Sequence, residues 1–252
     1  INYSFAMPDI HTGYGFVIGG VASTDPKEAG VISPGGVGYD IGCSVRLLRS
    51  EYSTEEIRPR LDELATTIQR EVPSGLGRGR QIKLSIQQIN KILEGGVPYL
   101  VEQGYGEKED IEYCEEKGKM EGADSDLVSD RAKNRGRDQV GTLGSGNHFC
   151  QLDKVDEIFD EDAAKALGLF NGQVVVMIHC GSRGLGHQIA TDYIRVMMRA
   201  MPKYKIELPD RELVSAPFNS PEGQNYFAAM QAGANFSWAN RHMITHYIRQ
   251  AW

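Results

Sequence analysis

Apolar residues recur at helical spacing in several stretches of the chain, and each stretch is predicted to form a helix. The first begins at the capping box Ser53-Thr54-Glu55-Glu56 and runs to about residue 72. The second covers about residues 86–103 and is expected to kink, because Gly95-Gly96 and Pro98 lie inside it.

Two further helices are predicted in the C-terminal part of the chain. One covers about residues 188–201. The other begins at Ser220, a preferred N-cap residue, and at Pro221, a preferred first-turn residue. It runs to Trp252 without a capping glycine or polar tail, so we expect that the natural chain continues or that a partner covers this end.

Two other stretches show strand patterns. Residues 173–178 form a continuous, mostly β-branched apolar run, which is typical of a strand covered on both faces. Residues 7–24 are short apolar pieces broken by glycine, which is typical of strands, bulges or binding loops. With the helices, these strands predict a mixed α/β (α+β) fold in which buried β-sheets are flanked by helices.

Composition indicates a globular protein. The chain has 252 residues, of which 40% are hydrophobic and 24% are charged, which suits one large domain or two modest ones. The net charge of −7 argues against a broad non-specific nucleic-acid coat but allows a local basic groove. No apolar run has the length of a membrane span and no signal peptide is recognisable, so we expect a cytoplasmic protein without a membrane partner.

The charged residues are unevenly distributed. The basic run 131–137 leads directly into the glycine loop 141–149, a combination suited to an anionic ligand. The glycine loop 73–80 carries two arginines and is either a phosphate-binding loop or an ordinary solvated loop. Residues 107–121 are rich in Glu and Lys and are predicted to form a solvated face.

Three glycine-flanked loops each present a side chain that can bind a metal. Asp40 and Cys43 lie in the first loop, close enough in sequence for a tight turn to bring both to one point. His148 lies in the second loop, and His179 opens the third at the end of the predicted strand. Each also has an ordinary explanation: a turn-capping carboxylate, a small buried thiol, or a histidine satisfied by a backbone hydrogen bond.

Taken jointly, these residues favour a metal site that the fold assembles, because the loops lie too far apart for a local finger. The four cysteines include no CxxC pair, so a disulfide framework is not expected. Side-chain softness alone would favour zinc or iron. His187, His242 and His246 lie on predicted helices and are interpreted as structural, whereas Asp9 and His11 lie in a loop that suits either turn chemistry or a site.

Four motifs, ordered along the chain from Met7 to Trp252, resemble those of the RtcB family of RNA-splicing ligases. They are Met7-Pro8-Asp9-Ile10-His11, Gly35-Gly36-Val37-Gly38-Tyr39-Asp40-Ile41-Gly42-Cys43, Gly144-Ser145-Gly146-Asn147-His148-Phe149 and His179-Cys180-Gly181-Ser182-Arg183-Gly184-Leu185-Gly186-His187.

The resemblance implies an RNA ligase that depends on GTP and on manganese (two Mn²⁺ ions). Its RNA substrates would carry a 3′-phosphate or 2′,3′-cyclic phosphate end and a 5′-hydroxyl end, as in tRNA splicing and RNA repair, and an activating accessory protein is a further expected partner. Residues 1–252 would form part of a single large catalytic domain. The family's guanylylated histidine is expected beyond Trp252, so no catalytic residue is assigned here and this chain alone is not expected to complete ligation.

The resemblance also implies roles for individual residues. Cys43 would bridge the two ions, Asp40 and His148 would complete the protein ligands of one ion, and His179 would bind the other. A guanylate-facing segment would comprise Asn147, His148, Phe149, Cys150 and Gln151. This chain departs from the usual pattern at three positions: Gly42 replaces Asn, Ser44 replaces Gly and Gln151 replaces Glu.

Charge and loop position suggest further contacts. Arg135 and Arg183 are candidate phosphate contacts, and Asp9 is a candidate RNA contact. Two other functions remain open at this point: a metal-dependent phosphoesterase, in which the same ions activate water, and a non-catalytic module that binds RNA or a partner.

Overall fold

The structure is a computed structural model that describes residues 6–13, 15–75, 83–208 and 210–252, without the side chains of residues 6–9. Its strands are β1 (Ala6–His11), β2 (Ile18–Gly20), β3 (Val31–Ile32), β4 (Ser44–Ser53), β5 (Phe149–Lys154), β6 (Gln173–Cys180) and β7 (Ala216–Pro217). Its α-helices are α1 (Pro34–Val37), α2 (Thr54–Ile57), α3 (Leu61–Glu71), α4 (Ile86–Glu102), α5 (Glu109–Glu112), α6 (Asp130–Gly136), α7 (Glu161–Leu167), α8 (Arg183–Tyr204) and α9 (Pro221–Ala251). Short 3₁₀ helices cover Pro26–Glu28, Arg58–Arg60, Glu115–Gly118, Ser125–Leu127 and Arg211–Leu213.

The central sheet has three antiparallel strands in the order β4-β6-β5. The middle strand β6 is the apolar run predicted to be covered on both faces, and Val174, Val176 and Ile178 in it are buried. At its end, His179 lies in register between Val45 of β4 and Phe149 of β5. The smaller sheets pair β1 with β2 and β3 with β7.

Helix α9 is the core element of the fold. It is 31 residues long and buries 20 of them, which include Tyr226 and Phe236. It packs against α3, α4, α8 and β6. Its start is as predicted, since Ser220 Oγ accepts a hydrogen bond from Gly223 N and Pro221 occupies the first turn.

The mixed α/β prediction is confirmed, and the kink predicted in the second helix is observed. Gly96 interrupts α4 with φ 53° and ψ −139°, and a Cβ there would lie 2.1 Å from the carbonyl oxygen of Gly118. Only glycine accommodates both the positive φ and this close approach. Across the residues that the structure describes, no helix is long and apolar enough to cross a bilayer.

Three predicted elements are corrected. The first helix is not continuous: α2 and α3 are separated by the 3₁₀ turn that contains Pro59, which cannot donate a helical hydrogen bond. Strand β6 continues through His179 to Cys180. Helix α8 begins at Arg183, five residues earlier than predicted, so Gly184 and Gly186 lie in its first turns.

The segment 107–121 is also less solvated than predicted. Asp110 in α5 forms a bidentate ion pair with Arg249 of α9, at 2.6 and 2.7 Å. Gly118 is buried against Val97 of α4. The Glu- and Lys-rich composition therefore describes only the outer face of a segment that is docked on the core.

Candidate metal centre

A thiol, two imidazoles and a carboxylate meet at one end of the central sheet. Cys43 Sγ lies 3.2 Å from His148 Nε2 and 3.1 Å from His179 Nε2. Asp40 Oδ2 lies 2.8 Å from the same His148 nitrogen. The ligand atoms of the thiol and the two imidazoles all lie within 4.8 Å of one another.

Strand direction explains why these residues converge. Cys43 directly precedes β4, His148 directly precedes β5, and His179 lies near the end of β6. Because β6 is antiparallel to both neighbours, its C-terminal end lies beside their N-terminal ends. The turn before β4 is closed by a hydrogen bond from Cys43 N to Asp40 O at 3.1 Å.

The carboxylate of Asp40 is fixed by the start of α8. Its Oδ1 accepts hydrogen bonds from Arg183 N at 2.9 Å and from Ser182 Oγ at 3.2 Å, which leaves Oδ2 facing His148. A Cβ at Gly181 would lie 2.5 Å from Oδ1, so position 181 requires glycine. The third glycine loop therefore serves Asp40 as well as His179.

Glycine also makes room for the histidine pair. A Cβ at Gly144 would lie 1.8 Å from His148 Nδ1, so the imidazole packs directly on the backbone of the second loop. The Nδ1 atom itself is buried without a hydrogen-bond partner in the described part of the chain. The ring centroids of His148 and His179 are 5.6 Å apart, and Phe149 stacks on His179 at 5.4 Å.

Burial and the neighbouring carboxylate set the electrostatics of the Cys43 thiol. Burial, with the negative charge of Asp40, raises the pKa of Cys43 well above its ordinary value. Burial alone would also raise the pKa of Asp40, but its hydrogen bonds and the charge of His148 hold that pKa below its usual range. A divalent cation beside both groups would neutralise the carboxylate and stabilise the thiolate.

The donor set fits a transition-metal ion. A thiolate and imidazole nitrogens suit zinc, iron and related ions, while the Asp40 carboxylate adds an oxygen donor of the kind that manganese accepts. Four donors of mixed softness meet here from three segments, and the group is not a surface cluster, since the His148 side chain is only 11% exposed. The residues present could therefore hold a metal.

The predicted guanylate-facing segment runs along the edge strand of the sheet away from the cluster. Asn147 is exposed in the turn before β5, and Gln151 is exposed with its Nε2 donating to Asp153 Oδ2 at 2.9 Å. Burial raises the pKa of Cys150 to about 11, so its thiol remains protonated at neutral pH.

Of the two arginines predicted to contact phosphate, Arg183 lies at the cluster and Arg135 contacts α8. Arg183 lies at the cluster, where it donates from Nη2 to Gly75 O at 2.7 Å, and its buried Nε lacks a hydrogen-bond partner among the described residues. Arg135 instead donates to Gln188 Oε1 at 3.1 Å on α8. The side chain of Asp9 lies outside the described residues, as do Arg78 and Arg80 of the loop 73–80.

Two of the three helix histidines, His242 and His246, have local partners, as expected for structural residues. Nε2 of the buried His242 lies 2.8 Å from the carbonyl oxygen of Tyr105. His246 Nδ1 accepts a hydrogen bond from Gly106 N at 3.2 Å.

Sequence reasoning missed a set of polar residues on α9 that support the cluster from behind. Asn240 and Arg241 are buried there and hydrogen-bond to the backbone of the ligand-bearing loops. Their signal is a polar pair in the middle of a helix whose other residues are mostly apolar or small.

Comparison with known proteins identifies similar sequences along the whole chain. The family model described as tRNA-splicing ligase RtcB matches residues 1–252. A tRNA-splicing ligase RtcB of Thermococcus kodakarensis is 57% identical over 250 residues, which is 99% of this chain and 52% of that protein. The corresponding protein of Aeropyrum pernix is 58% identical over 251 residues, again 99% and 52%. The chain thus spans about half the length of these curated relatives.

Proposed function

The chain belongs to the RtcB family, and from that premise we propose that it is part of an RNA ligase that requires GTP and Mn²⁺. The proposed substrates are an RNA end with a 3′-phosphate or 2′,3′-cyclic phosphate and an RNA end with a 5′-hydroxyl. The observation that carries this proposal is the meeting of Cys43, His148, His179 and Asp40 at one point of the fold.

The four residues have distinct proposed roles. Cys43 would bridge two manganese ions, with Asp40 and His148 on one ion and His179 on the other. When bound, the ions would supply positive charge that neutralises phosphate oxygens and holds the reacting ends in line. The chain's own contribution is to present these donors already in place, since Asp40 is fixed through Arg183 N and Ser182 Oγ.

Arg183 is the best supported of the proposed phosphate contacts. It lies directly after Ser182, and φ is 58° at this non-glycine residue, a conformation that costs free energy. The residue is 8% exposed, and one guanidinium donor, Nε, has no hydrogen-bond partner among the described residues. A buried, unpaired guanidinium donor beside a cation site suits a phosphate oxygen.

The proposed guanylate site lies along the exposed turn and first residues of β5. Asn147 offers an amide at the rim of the cluster, and Phe149 offers an aromatic face already stacked on His179. Gln151 carries no charge, so a guanylate there would be held by hydrogen bonds and not repelled by a carboxylate. The histidine that would carry the guanylate is expected in the part of the relatives that this chain does not span.

The test uses the full-length gene product with Mn²⁺, GTP and two RNAs, one ending in a 3′-phosphate and one in a 5′-hydroxyl. We expect a joined RNA and a protein-bound guanylate, and we expect both to be lost in Cys43→Ala. Cys114→Ala is the matched control, because Cys114 is a partly buried cysteine that is not part of the cluster.

Other outcomes identify the rival functions. Metal-dependent release of phosphate without joining would indicate a phosphoesterase in place of a ligase. RNA binding that is unchanged by Cys43→Ala, with no joining and no guanylate, would indicate a non-catalytic binding module. Either result would overturn the proposal.

A further inference from the structure

Two consecutive polar residues are buried in the middle of α9. Asn240 is 0% exposed and Arg241 is 3% exposed. Burying an amide or a guanidinium is costly unless its polar atoms are hydrogen-bonded. The hydrogen-bond partners of Asn240 and Arg241 therefore indicate what these side chains do.

The Asn240 side chain joins two backbone segments. Its Oδ1 accepts hydrogen bonds from Gly141 N at 2.7 Å and Thr142 N at 3.1 Å, in the loop that leads to His148. Its Nδ2 donates to Thr142 O at 3.2 Å and to Gly181 O at 3.1 Å, just after His179. One amide therefore ties the His148 loop to the segment that follows His179.

The Arg241 side chain adds the third segment. Its Nη1 donates to Gly42 O at 2.7 Å, the carbonyl directly before Cys43, and to Cys180 O, directly after His179. Ser237, one helical turn earlier, donates from Oγ to the same Gly42 carbonyl at 2.7 Å and accepts from Arg241 Nη1 at 2.8 Å. The guanidinium therefore ties the Cys43 turn to the end of β6.

We propose that Asn240 and Arg241 are positioning residues that hold the Cys43, His148 and His179 segments in the arrangement a metal requires. This inference rests on the proposed metal centre. Neither residue hydrogen-bonds to a ligand atom in the described part of the chain. Each acts chiefly through backbone groups: Gly42, Cys180 and Gly181 lie within two residues of Cys43 or His179, whereas Gly141 and Thr142 lie in the loop that leads to His148. Partners behind metal ligands set the orientation of those ligands, and their loss typically weakens metal binding about 10- to 100-fold.

The same helix provides a matched comparison. Asn235 is 0% exposed and bridges backbone groups in the same manner, with Oδ1 accepting from Met120 N at 2.7 Å and Nδ2 donating to Leu93 O at 2.8 Å. Its partners are remote from the ligand-bearing loops. A substitution at Asn235 therefore reports the cost of disturbing a buried amide on α9 without disturbing the metal centre.

The test compares Asn240→Asp with Asn235→Asp. Each substitution keeps an accepting oxygen, removes the Nδ2 donor and buries the same ionisable carboxyl group, so both should lower the Tm by similar amounts. Arg241→Met removes the guanidinium and Arg241→Lys keeps one charged donor. If Arg241→Met does not fold, the Lys variant and Asn240→Asp carry the comparison.

The first readout is a titration with Co²⁺ alone. Binding is measured from the visible absorption of the bound Co²⁺ and from the thiolate-to-Co²⁺ charge-transfer absorption. We expect Asn240→Asp and Arg241→Met to weaken Co²⁺ binding about 10- to 100-fold and to change the spectrum, with Arg241→Lys intermediate. Asn235→Asp should bind within about 3-fold of the wild type, since its partners at Met120 and Leu93 lie outside the ligand-bearing loops and distant sites couple weakly. Equal Co²⁺ affinity and identical spectra in all variants would overturn the positioning role.

A second readout separates this inference from the metal assignment. Amide hydrogen exchange in the metal-free protein should be faster in segments 40–46, 141–148 and 178–184 for Asn240→Asp and Arg241→Met than for Asn235→Asp. If the wild type binds no Co²⁺, the metal centre is refuted. Faster exchange of those segments in Asn240→Asp and Arg241→Met would still show that the two residues hold the segments in place. If these segments exchange in Asn240→Asp and Arg241→Met at the same rate as in Asn235→Asp, the positioning role is overturned.

Discussion

Asp40 Oδ2 lies 2.8 Å from His148 Nε2, although 108 residues separate the two in sequence. The contact joins the first and second glycine loops, and the other carboxylate oxygen of Asp40 bonds to Arg183 N of the third. Asp40 thus contacts both of the other glycine loops, as Cys43 does through its sulfur.

Replacing Asp40 with Asn should keep the hydrogen bond from Arg183 N but remove the negative charge. We expect metal affinity to fall at least about 10-fold, because an amide is a poorer ligand than a carboxylate, while the fold is retained. Calorimetric titration with Mn²⁺ measures the change. Asp156→Asn is the control, since Asp156 lies at the surface and pairs with Lys154. Unchanged affinity in Asp40→Asn would remove Asp40 from the ligand set.

Gly181 is predicted to be intolerant of any side chain. A methyl group there would collide with the Asp40 carboxylate at 2.5 Å, so Gly181→Ala should displace it. We expect a loss of about 1–3 kcal/mol in the free energy of unfolding, measured by urea titration, together with weaker metal binding. Gly36→Ala is the control, because a Cβ at Gly36 meets its nearest neighbour at 3.4 Å, an ordinary contact. Similar stabilities for the two variants would contradict the crowding seen at Gly181.

Gly42 should accept asparagine better than a β-branched residue. Its φ of 65° lies in the left-handed region, which Gly and Asn adopt readily and Val does not. A Cβ would lie 3.2 Å from Ser237 Cβ, so either side chain requires a small shift. We expect Gly42→Val to destabilise the protein by about 1–3 kcal/mol and Gly42→Asn by less, as measured by urea unfolding. The reverse order would show that space, and not backbone conformation, decides at this position.

Much of the site was predictable because glycine marks the places where backbone and ligands approach closely. The loops around Asp40, Cys43, His148 and His179 were identified from that signal, and the buried run of β6 predicted the strand that presents His179. The start of α8 was placed too late, because Gly184 and Gly186 resemble a loop although they lie in helical turns.

The support behind the site was not predictable by the same reasoning. Hydrophobic periodicity predicts α9 as a helix that packs in the core. The proposed role of Asn240 and Arg241 depends instead on hydrogen bonds to backbone groups far away in sequence. Likewise, the sequence does not show that Asp110 pairs with Arg249, and its charged composition therefore predicts a solvated face for residues 107–121. The local sequence can mark a polar pair inside a helix, but it does not show which distant backbone groups that pair contacts.

The Asp110–Arg249 pair should make stability depend on acid pH. Burial alone would raise the pKa of Asp110, but the hydrogen bonds from Arg249 and Glu107 N hold it below its ordinary value of 3.8. A carboxyl group whose pKa is lower in the folded state stabilises the protein above its unfolded pKa. That contribution is lost as the pH falls through the lower, folded pKa.

Arg249→Met should therefore be less stable than the wild type at pH 7 by about 0.5–1 kcal/mol, a modest value because Arg249 is 39% exposed and solvent screens the pair. The difference should shrink as the pH falls below about 4, as measured by urea unfolding across this range.

His242, 3.8 Å from Asp110, and Glu107, 4.0 Å from Arg249, also face the pair. Burial, together with the positive charges of Arg46 and Arg249, lowers the pKa of His242, so the wild type loses stability as the pH falls below about 6.5, and Arg249→Met, which lacks one of these charges, loses less in that range. Lys203→Met, which breaks an exposed pair with Glu222, is the control and should show little effect. A stability difference between Arg249→Met and the wild type that stays constant from pH 7 to pH 2 would contradict the assignment to Asp110.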